Sequence, residues 1–170
     1  TVRVNVSARQ FEDAALAADV AEALAASGLP PERLCLEITE TTLMRNIDHA
    51  LGVLQQLKAL GVQVALDDFG TGYGSLVYLK RLPVDVIKID GSFVRNVAQL
   101  GKDYAVVQAS VAVAKAFGAI TVAEFVEDED TEYCLRRLGV HRVQGYLYGA
   151  PRPLSEVLAE TTAEAAASGE

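Results

Sequence analysis

Six short apolar runs recur along the chain, separated by longer stretches in which apolar residues follow helical spacing. The runs are rich in Val, Ile and Leu and are apolar on both faces, which is typical of strands in a parallel sheet covered by helices. The predicted strands are Val2–Ser7, Leu34–Thr39, Val62–Asp68, Val84–Asp90, Ile120–Val126 and His141–Tyr148. The predicted helices are Phe11–Ser27, Asp48–Leu60, Leu76–Arg81, Tyr104–Phe117, Asp130–Leu138 and Leu154–Ala167.

Strands that alternate with helices in this way predict a parallel α/β fold. Two architectures fit the pattern: an open doubly wound sheet, or most of a (β/α)8 barrel. No Gly-rich phosphate loop of the GxGxxG or Walker type follows the first strand. Its absence disfavours the open sheets that bind nucleotides.

Polar side chains stand at or near the carboxyl end of nearly every predicted strand. In a (β/α)8 barrel these ends meet on one face and build the active site there. Lys88 and Asp90 share a strand face because side chains alternate along a strand, so we expect Lys88 to lie near the carboxylates of neighbouring strands. The full set is Asn5, Glu37, Glu40, Asp67, Asp68, Lys88, Asp90, Glu124 and Gln144.

Each of these residues also has an ordinary structural interpretation. One of Asp67 and Asp68 can cap the turn that follows, Lys88 can extend to solvent, and Gln144 can hydrogen-bond within the core. Glu37 can pair with a surface cation. These interpretations are reasonable one by one, but together, at one end of six successive strands, they are much less probable than a functional site.

Composition narrows the chemistry of that site. The formal net charge is −8 over 170 residues, so the chain is a poor candidate for binding DNA or RNA polymers, and an anionic substrate would require metal ions. Cys35 and Cys134 form no CxxC pattern, and the apolar strand around Cys35 indicates a buried free thiol in a reducing, cytoplasmic compartment. No apolar stretch is long enough to span a bilayer, although membrane attachment of a longer parent chain stays open.

The donor atoms indicate which metal would bind. Oxygen ligands without a thiolate or paired imidazoles suit Mg²⁺ or Mn²⁺. Several carboxylates around one point suit two ions with a bridging Asp, and such pairs, about 3.5–4 Å apart, activate water for in-line phosphoryl displacement. The residues therefore predict metal-assisted hydrolysis of a phosphate ester on a barrel.

Six motifs in this order, VNVSARQ, LEITE, ALDDFGTGYGSL, IKID, AEFVED and QGYLYG, resemble the EAL domain of cyclic-di-GMP phosphodiesterases. The match covers nearly the whole chain up to Pro151. The resemblance implies a TIM-like (β/α)8 barrel of EAL type in which residues 1–153 supply about six of the eight βα units (strands 3 to 8), followed by a terminal helix and frayed tail over residues 154–170. It also implies hydrolysis of cyclic-di-GMP to linear pGpG with two Mg²⁺ or Mn²⁺ ions.

The resemblance assigns a role to each polar residue. Lys88 would polarise the attacking water, Gln144 would orient it, Glu40 would anchor the DFGTGYGSL loop, and Asp90 is a possible additional site residue. Glu124 would be a metal ligand or the general base. The implied metal ligands, with Asp67 as the bridge, are Asn5, Glu37, Asp67, Asp68 and Glu124.

The chain also departs from the family pattern. The Glu-Ala-Leu segment with its metal-binding Glu and the first two strands are absent, Phe125 stands where Gly is usual, and Ala150 where a basic residue is common. The chain opens at Thr1 inside a predicted strand. We therefore expect a fragment of a longer protein, poorly stable or inactive by itself.

Three hypotheses about function follow. The first is an active phosphodiesterase, and the alternative is a catalytically inactive EAL domain that serves as a cyclic-di-GMP receptor or protein-interaction module. A remote third is an enolase-like metal barrel with Lys88 as base. The expected partners are cyclic-di-GMP, a second copy that forms a homodimer through the loop region 70–76, and sensory or GGDEF modules in the parent chain.

Overall fold

Six strands lie parallel in one curled sheet, in the order in which they occur in the chain. The computed structural model describes residues 1–72 and 79–158. Strand order that progresses in one direction is the winding of a (β/α)8 barrel, whereas an open doubly wound sheet reverses at a switch point. The TIM-like barrel prediction is thus confirmed for about six βα units. The strands are β1 Val2–Asn5, β2 Leu34–Thr39, β3 Gln63–Phe69, β4 Val86–Ile89, β5 Ile120–Ala123 and β6 Arg142–Val143.

Helices connect the strands and cover the outer face of the sheet. Three of them end at Gly28, Gly118 and Gly139, each with a left-handed backbone that glycine adopts without strain. Within the described part of the chain, no helix combines the length and apolar character that a membrane crossing requires. The helices are α1 Ala8–Phe11, α2 Leu16–Ser27, α3 Glu40–Arg45, α4 Ile47–Ala59, α5 Gly91–Val94, α6 Lys102–Phe117 and α7 Glu129–Leu138.

The predicted helix Phe11–Ser27 is wrong as a single element, because α1 and α2 are separate. Ser7 caps α1 in a capping box with Gln10, so this helix begins earlier than predicted. After α1, Asp13 Oδ1 accepts the backbone N–H of Ala15 at 2.9 Å. Such a local bond replaces the helical ladder and ends the helix.

Two short helices begin directly at strand ends, where strand and loop were predicted. Thr39 caps α3 by accepting the N–H of Thr42, and Asp90 caps α5 by accepting the N–H of Ser92. The strand predicted to reach Asp90 therefore stops one residue earlier. The predicted strand His141–Tyr148 is also too long, because residues 145–148 form a turn.

Two further helix predictions fall partly outside the described residues. The helix predicted over Leu76–Arg81 is described only from residue 79 onward. The helix predicted over Leu154–Ala167 is described to residue 158, and residues 154–158 are helical.

A small apolar layer on the inner face of the sheet positions the functional residues. Cys35, Ala65, Val86 and Val122 pack together there, each contributed by a different strand. Cys35 is fully buried and is a free thiol, as predicted. Since inward positions recur every second residue, the next inward layer consists of the residues two positions further along each strand, which are Glu37, Asp67, Lys88 and Glu124.

Candidate metal and catalytic site

The Lys88 ammonium lies at the centre of this second layer. Its Nζ is 2.6 Å from Glu37 Oε2, 3.0 Å from Asp67 Oδ1 and 3.0 Å from Glu124 Oε1. These three carboxylates come from β2, β3 and the residue after β5, while Lys88 lies on β4. Four neighbouring strand ends therefore meet at one charged group, as the alternation in the sequence predicted.

The charged side chains of Lys88, Glu37 and Asp67 are buried. Lys88 is 4% exposed, Glu37 6% and Asp67 9%. Burial of a charge is costly unless an opposite charge and hydrogen bonds compensate it. The mutual pairing of Lys88 with its three carboxylates supplies that compensation.

The pKa values follow from this geometry. Burial alone would lower the pKa of Lys88, but its hydrogen bonds to Glu37, Asp67 and Glu124 outweigh burial and raise the pKa. Burial raises the pKa of Glu124, with further contributions from the negative charges of Asp67 and Glu37, against the opposing effect of Lys88. The ammonium is thus held in its charged form, and Glu124 is a more basic carboxylate than usual.

Arg3 is a site residue that the sequence reasoning missed. Its Nη1 donates to Glu37 Oε1 at 3.3 Å, so both oxygens of Glu37 face a cation. The signal was available in the sequence, because Arg3 and Asn5 are two residues apart on β1 and therefore share a face of the strand.

Asp68 extends the cluster by an unusual backbone conformation. Its φ is +55°, which turns the chain sharply at the end of β3, and its N–H donates to Asp67 Oδ1 at 3.0 Å. One carboxylate oxygen each of Asp67, Asp68 and Glu124 lies within 4.8 Å of the others. Burial raises the pKa of Asp68, as do the charges of Asp67 and Asp90.

This donor set fits a divalent cation. All three carboxylates offer hard oxygen ligands, which Mg²⁺ and Mn²⁺ prefer. Together with Glu37 they carry four negative charges, of which Lys88 and Arg3 balance two. The remaining two negative charges would be neutralised by one divalent cation.

Glu40 lies at the first position of α3 and is buried. Its Oε2 accepts the backbone N–H of Gly70 at 3.2 Å, at the start of the loop after β3. Gly72 passes so close that a Cβ there would stand 3.0 Å from Glu40 Oε1. The carboxylate is in contact with the loop, in the position that the anchor hypothesis requires.

The remaining predicted residues lie around the cluster. Asn5 is exposed at the end of β1 in register with Glu37, and Asp90 is engaged as the cap of α5. Gln144 follows β6 and lines a cavity of about 350 Å³ with Glu124 and Phe125. Gln144 therefore lines the same cavity as Glu124, and Asp90 has a structural role as the cap of α5.

The chain matches the family model "EAL domain" over residues 1–151. It is 46% identical over 158 residues to the bifunctional diguanylate cyclase/cyclic di-GMP phosphodiesterase MucR of Pseudomonas aeruginosa, a match that covers 93% of this chain and 23% of MucR. The chain thus spans about a quarter of the length of that curated relative.

Solved structures give the same result. The PaMucR phosphodiesterase in complex with c-di-GMP superposes with a TM-score of 0.89 at 45% identity, over 92% of this chain and 70% of that one. The manganese/cy-diGMP complex of BlrP1 from Klebsiella pneumoniae gives a TM-score of 0.77 at 31% identity, over 85% of this chain and 37% of that one. On sequence and structure, this chain belongs to the EAL domain family.

Proposed function

We propose that the chain belongs to the catalytic domain of a metal-dependent phosphodiesterase that hydrolyses cyclic-di-GMP to linear pGpG. The observation that carries the proposal is the group of Asp67, Asp68 and Glu124 beside the buried Lys88, at the strand carboxyl ends of an EAL domain. The names of MucR and of its complex with c-di-GMP support this substrate.

We further propose that two Mg²⁺ or Mn²⁺ ions bind, with Asp67 as the bridge between them. Asp68, Glu124, Asn5 and Glu37 would supply the other ligands. When bound, such ions lower the pKa of a water molecule and polarise phosphoryl oxygens. The manganese and calcium complexes of BlrP1 with cy-diGMP support a divalent ion at this site.

The chain's own residues have separate tasks in the reaction. A water oxygen bonds to phosphorus and the bond from phosphorus to the 3′ oxygen breaks, since the product pGpG keeps its phosphate on the 5′ side. The leaving 3′ oxygen takes up a proton from solvent and becomes a hydroxyl group. Lys88, whose ammonium lies within the cluster, would hold and polarise the water. Glu124, whose pKa is raised, accepts the proton from the water, and Gln144 orients the water from the cavity.

The test is product formation by the purified full-length protein with Mn²⁺ or Mg²⁺ and cyclic-di-GMP, with pGpG measured by chromatography. We expect turnover that EDTA abolishes and that Asp67→Asn lowers by at least about 100-fold, since a bridging ligand affects both ions. The matched control is Asp19→Asn, which changes an exposed Asp on α2 and should retain activity. Equal activity of wild type and Asp67→Asn would refute the proposal.

A second candidate is a receptor that binds cyclic-di-GMP without turnover. The observation in its favour is Phe125, the bulky residue next to Glu124. Its backbone φ is +55°, a strained conformation for a residue with a side chain. Tight nucleotide binding with no pGpG in the same assay would favour this candidate over the enzyme.

The expected assembly is also a proposal. We infer a cytoplasmic domain that forms a homodimer through the loop region 70–76, of which residues 73–76 lie outside the described part of the chain. Sensory or GGDEF modules in the same protein are supported by the bifunctional name of MucR.

A further inference from the structure

Arg95 is a cation that lines the same cavity as two residues of the site. This cavity, of about 350 Å³, is also lined by Glu124 and Gln144. Arg95 follows α5 directly, and its backbone N–H donates to Gly91 O at 3.1 Å. Since Asp90 caps α5 immediately after β4, a connection of only a few residues joins Arg95 to the strand that carries Lys88.

The aromatic ring of Phe125 is in contact with this guanidinium. The guanidinium carbon of Arg95 lies 4.7 Å from the centroid of the ring, a distance at which a cation is attracted to the aromatic face. The ring itself packs on Gly91, where a Cβ would stand 2.6 Å from Phe125 Cγ, closer than real atoms approach. The ring therefore lies against the helix that Arg95 follows, and it favours one position of the guanidinium.

The charge of Arg95 is not used within the protein. Within the part of the chain that the structure describes, no carboxylate forms an ion pair with it. The other charged residues that line the cavity are Glu124 and Glu127, both acidic. A guanidinium presents its N–H donors at the edge of a plane, in a geometry that matches two oxygens of a phosphate.

The proposed substrate brings two phosphates, and the metal cluster accounts for one of them. In the proposed function, the carboxylates around Lys88 and their metal ions take the phosphate that is cleaved. Arg95 pairs with none of those carboxylates, so it is suited to the other phosphate. Without a cation, the acidic lining of the cavity would repel that second negative charge.

We propose that Arg95 binds the phosphate of cyclic-di-GMP that is not hydrolysed, and that Phe125 positions its guanidinium. The inference rests on the proposed function, because it takes cyclic-di-GMP as the ligand of this cavity. Both residues then act on substrate binding and not on the metal ions. Ala150 stands where a basic residue is common in the family pattern, and Arg95 offsets that loss of positive charge.

The test is the measurement of KM and kcat for cyclic-di-GMP with the full-length protein and Mn²⁺. We expect Arg95→Met to raise KM about tenfold with kcat within about twofold of wild type, because a contact equally strong in the substrate complex and the transition state changes binding alone. Arg95→Lys keeps the charge and should raise KM by no more than about threefold. Arg95→Gln keeps a hydrogen-bond donor without the charge and should resemble Arg95→Met.

Two further variants separate this contact from a general effect of charge. Arg33→Met removes a positive charge at an exposed position before β2, at the opposite end of the strands, and should leave KM unchanged. Phe125→Leu should raise KM about threefold by itself, because the guanidinium loses the ring that holds it. In the Arg95→Met background, Phe125→Leu should have no further effect, because the ring acts through Arg95.

Three results would overturn the inference while the proposed function stands. The first is a KM that Arg95→Met leaves unchanged, or that Arg33→Met raises equally. The second is a loss of kcat at constant KM, which would place Arg95 on the cleaved phosphate. The third is wild-type KM in Arg95→Gln but not in Arg95→Lys, which would indicate a contact with the edge of a guanine base.

The wild-type protein distinguishes this inference from the proposed function. If it binds cyclic-di-GMP without forming pGpG, the proposed enzyme fails, and the same ratios are expected in Kd measured by calorimetry. If it neither binds nor cleaves cyclic-di-GMP, the proposed function fails and the inference fails with it.

Discussion

Lys88 acts electrostatically within the protein as a metal ion would. Its ammonium pairs with three carboxylates from three strands at 2.6 to 3.0 Å and offsets part of their charge. Burial normally drives a lysine toward its neutral form, yet the hydrogen bonds that Lys88 donates to these carboxylates raise its pKa instead. The carboxylates can therefore stay close together before any divalent ion arrives, which keeps the site preorganised.

At this residue we predict that Lys88→Met destabilises the fold by about 3–5 kcal/mol, because three buried carboxylates lose the charge that compensates them. The measurement is the free energy of unfolding in urea without added metal. Lys80→Met is the control, since Lys80 is exposed and should change stability by less than about 0.5 kcal/mol. Similar stability of the two variants would mean that the cluster does not depend on Lys88.

At the residue scale, the sequence predicted which strand ends meet but not how their backbones turn. The period of two along β4 placed Lys88 on the inner face, and the same period explains why Glu37, Asp67 and Glu124 reach it. Arg3 was missed although the same rule applies to it. The positive φ of Asp68 was not predicted, because no pattern in the sequence marks it. A signal was available for Phe125, because Gly, which adopts a positive φ without strain, is usual at that position in the family pattern.

At the scale of elements, α3 connects the site to the loop after β3. Glu40 begins this helix, and its carboxylate accepts the N–H of Gly70. This hydrogen bond joins the first residue of the helix to the start of the loop. We expect its loss to affect the loop first.

We predict that Glu40→Ala lowers kcat for cyclic-di-GMP by about tenfold while Mn²⁺ affinity stays within about twofold of wild type, because the loop loses its acceptor and the metal ligands remain. Kinetics and Mn²⁺ titration on the same samples measure both quantities. Glu40→Gln keeps one acceptor oxygen and should recover part of kcat. A matching loss of Mn²⁺ affinity would instead make Glu40 a metal ligand.

Secondary structure was predictable where apolar periodicity was long and the end signals were strong. Helices α2, α6 and α7 end at the glycines expected to end them. The short helices α3 and α5 were missed because one or two turns leave no periodic pattern of apolar residues. Their capping residues Thr39 and Asp90 are also consistent with the last residue of a strand. The break after α1 depends on one side chain, Asp13, which competes for a backbone N–H.

For the whole molecule, the barrel-type sheet could be predicted because six strands repeat one pattern, apolar along their length and polar at the carboxyl end. Their parallel pairing in chain order brings those ends to one edge. The net charge is −8, and much of it comes from exposed acidic side chains. The carboxylates of the site repel one another only in the folded state, because only folding brings them together. A cation that binds there is consequently coupled to folding.

This coupling predicts that Mn²⁺ stabilises the whole chain. A ligand that binds only the folded state at 100 times its Kd adds about 2.7 kcal/mol of stability. For a chain of this size, that corresponds to a rise of roughly 5–10 °C in the unfolding temperature. Calorimetry of the metal-free chain, with Mn²⁺ added and then removed by EDTA, measures the rise and its reversal.

Asp67→Asn should abolish most of the rise in unfolding temperature and Asp19→Asn should preserve it, because of these two residues only Asp67 belongs to the cluster. A rise of equal size in the Asp67→Asn chain would place the bound ion elsewhere on the acidic surface.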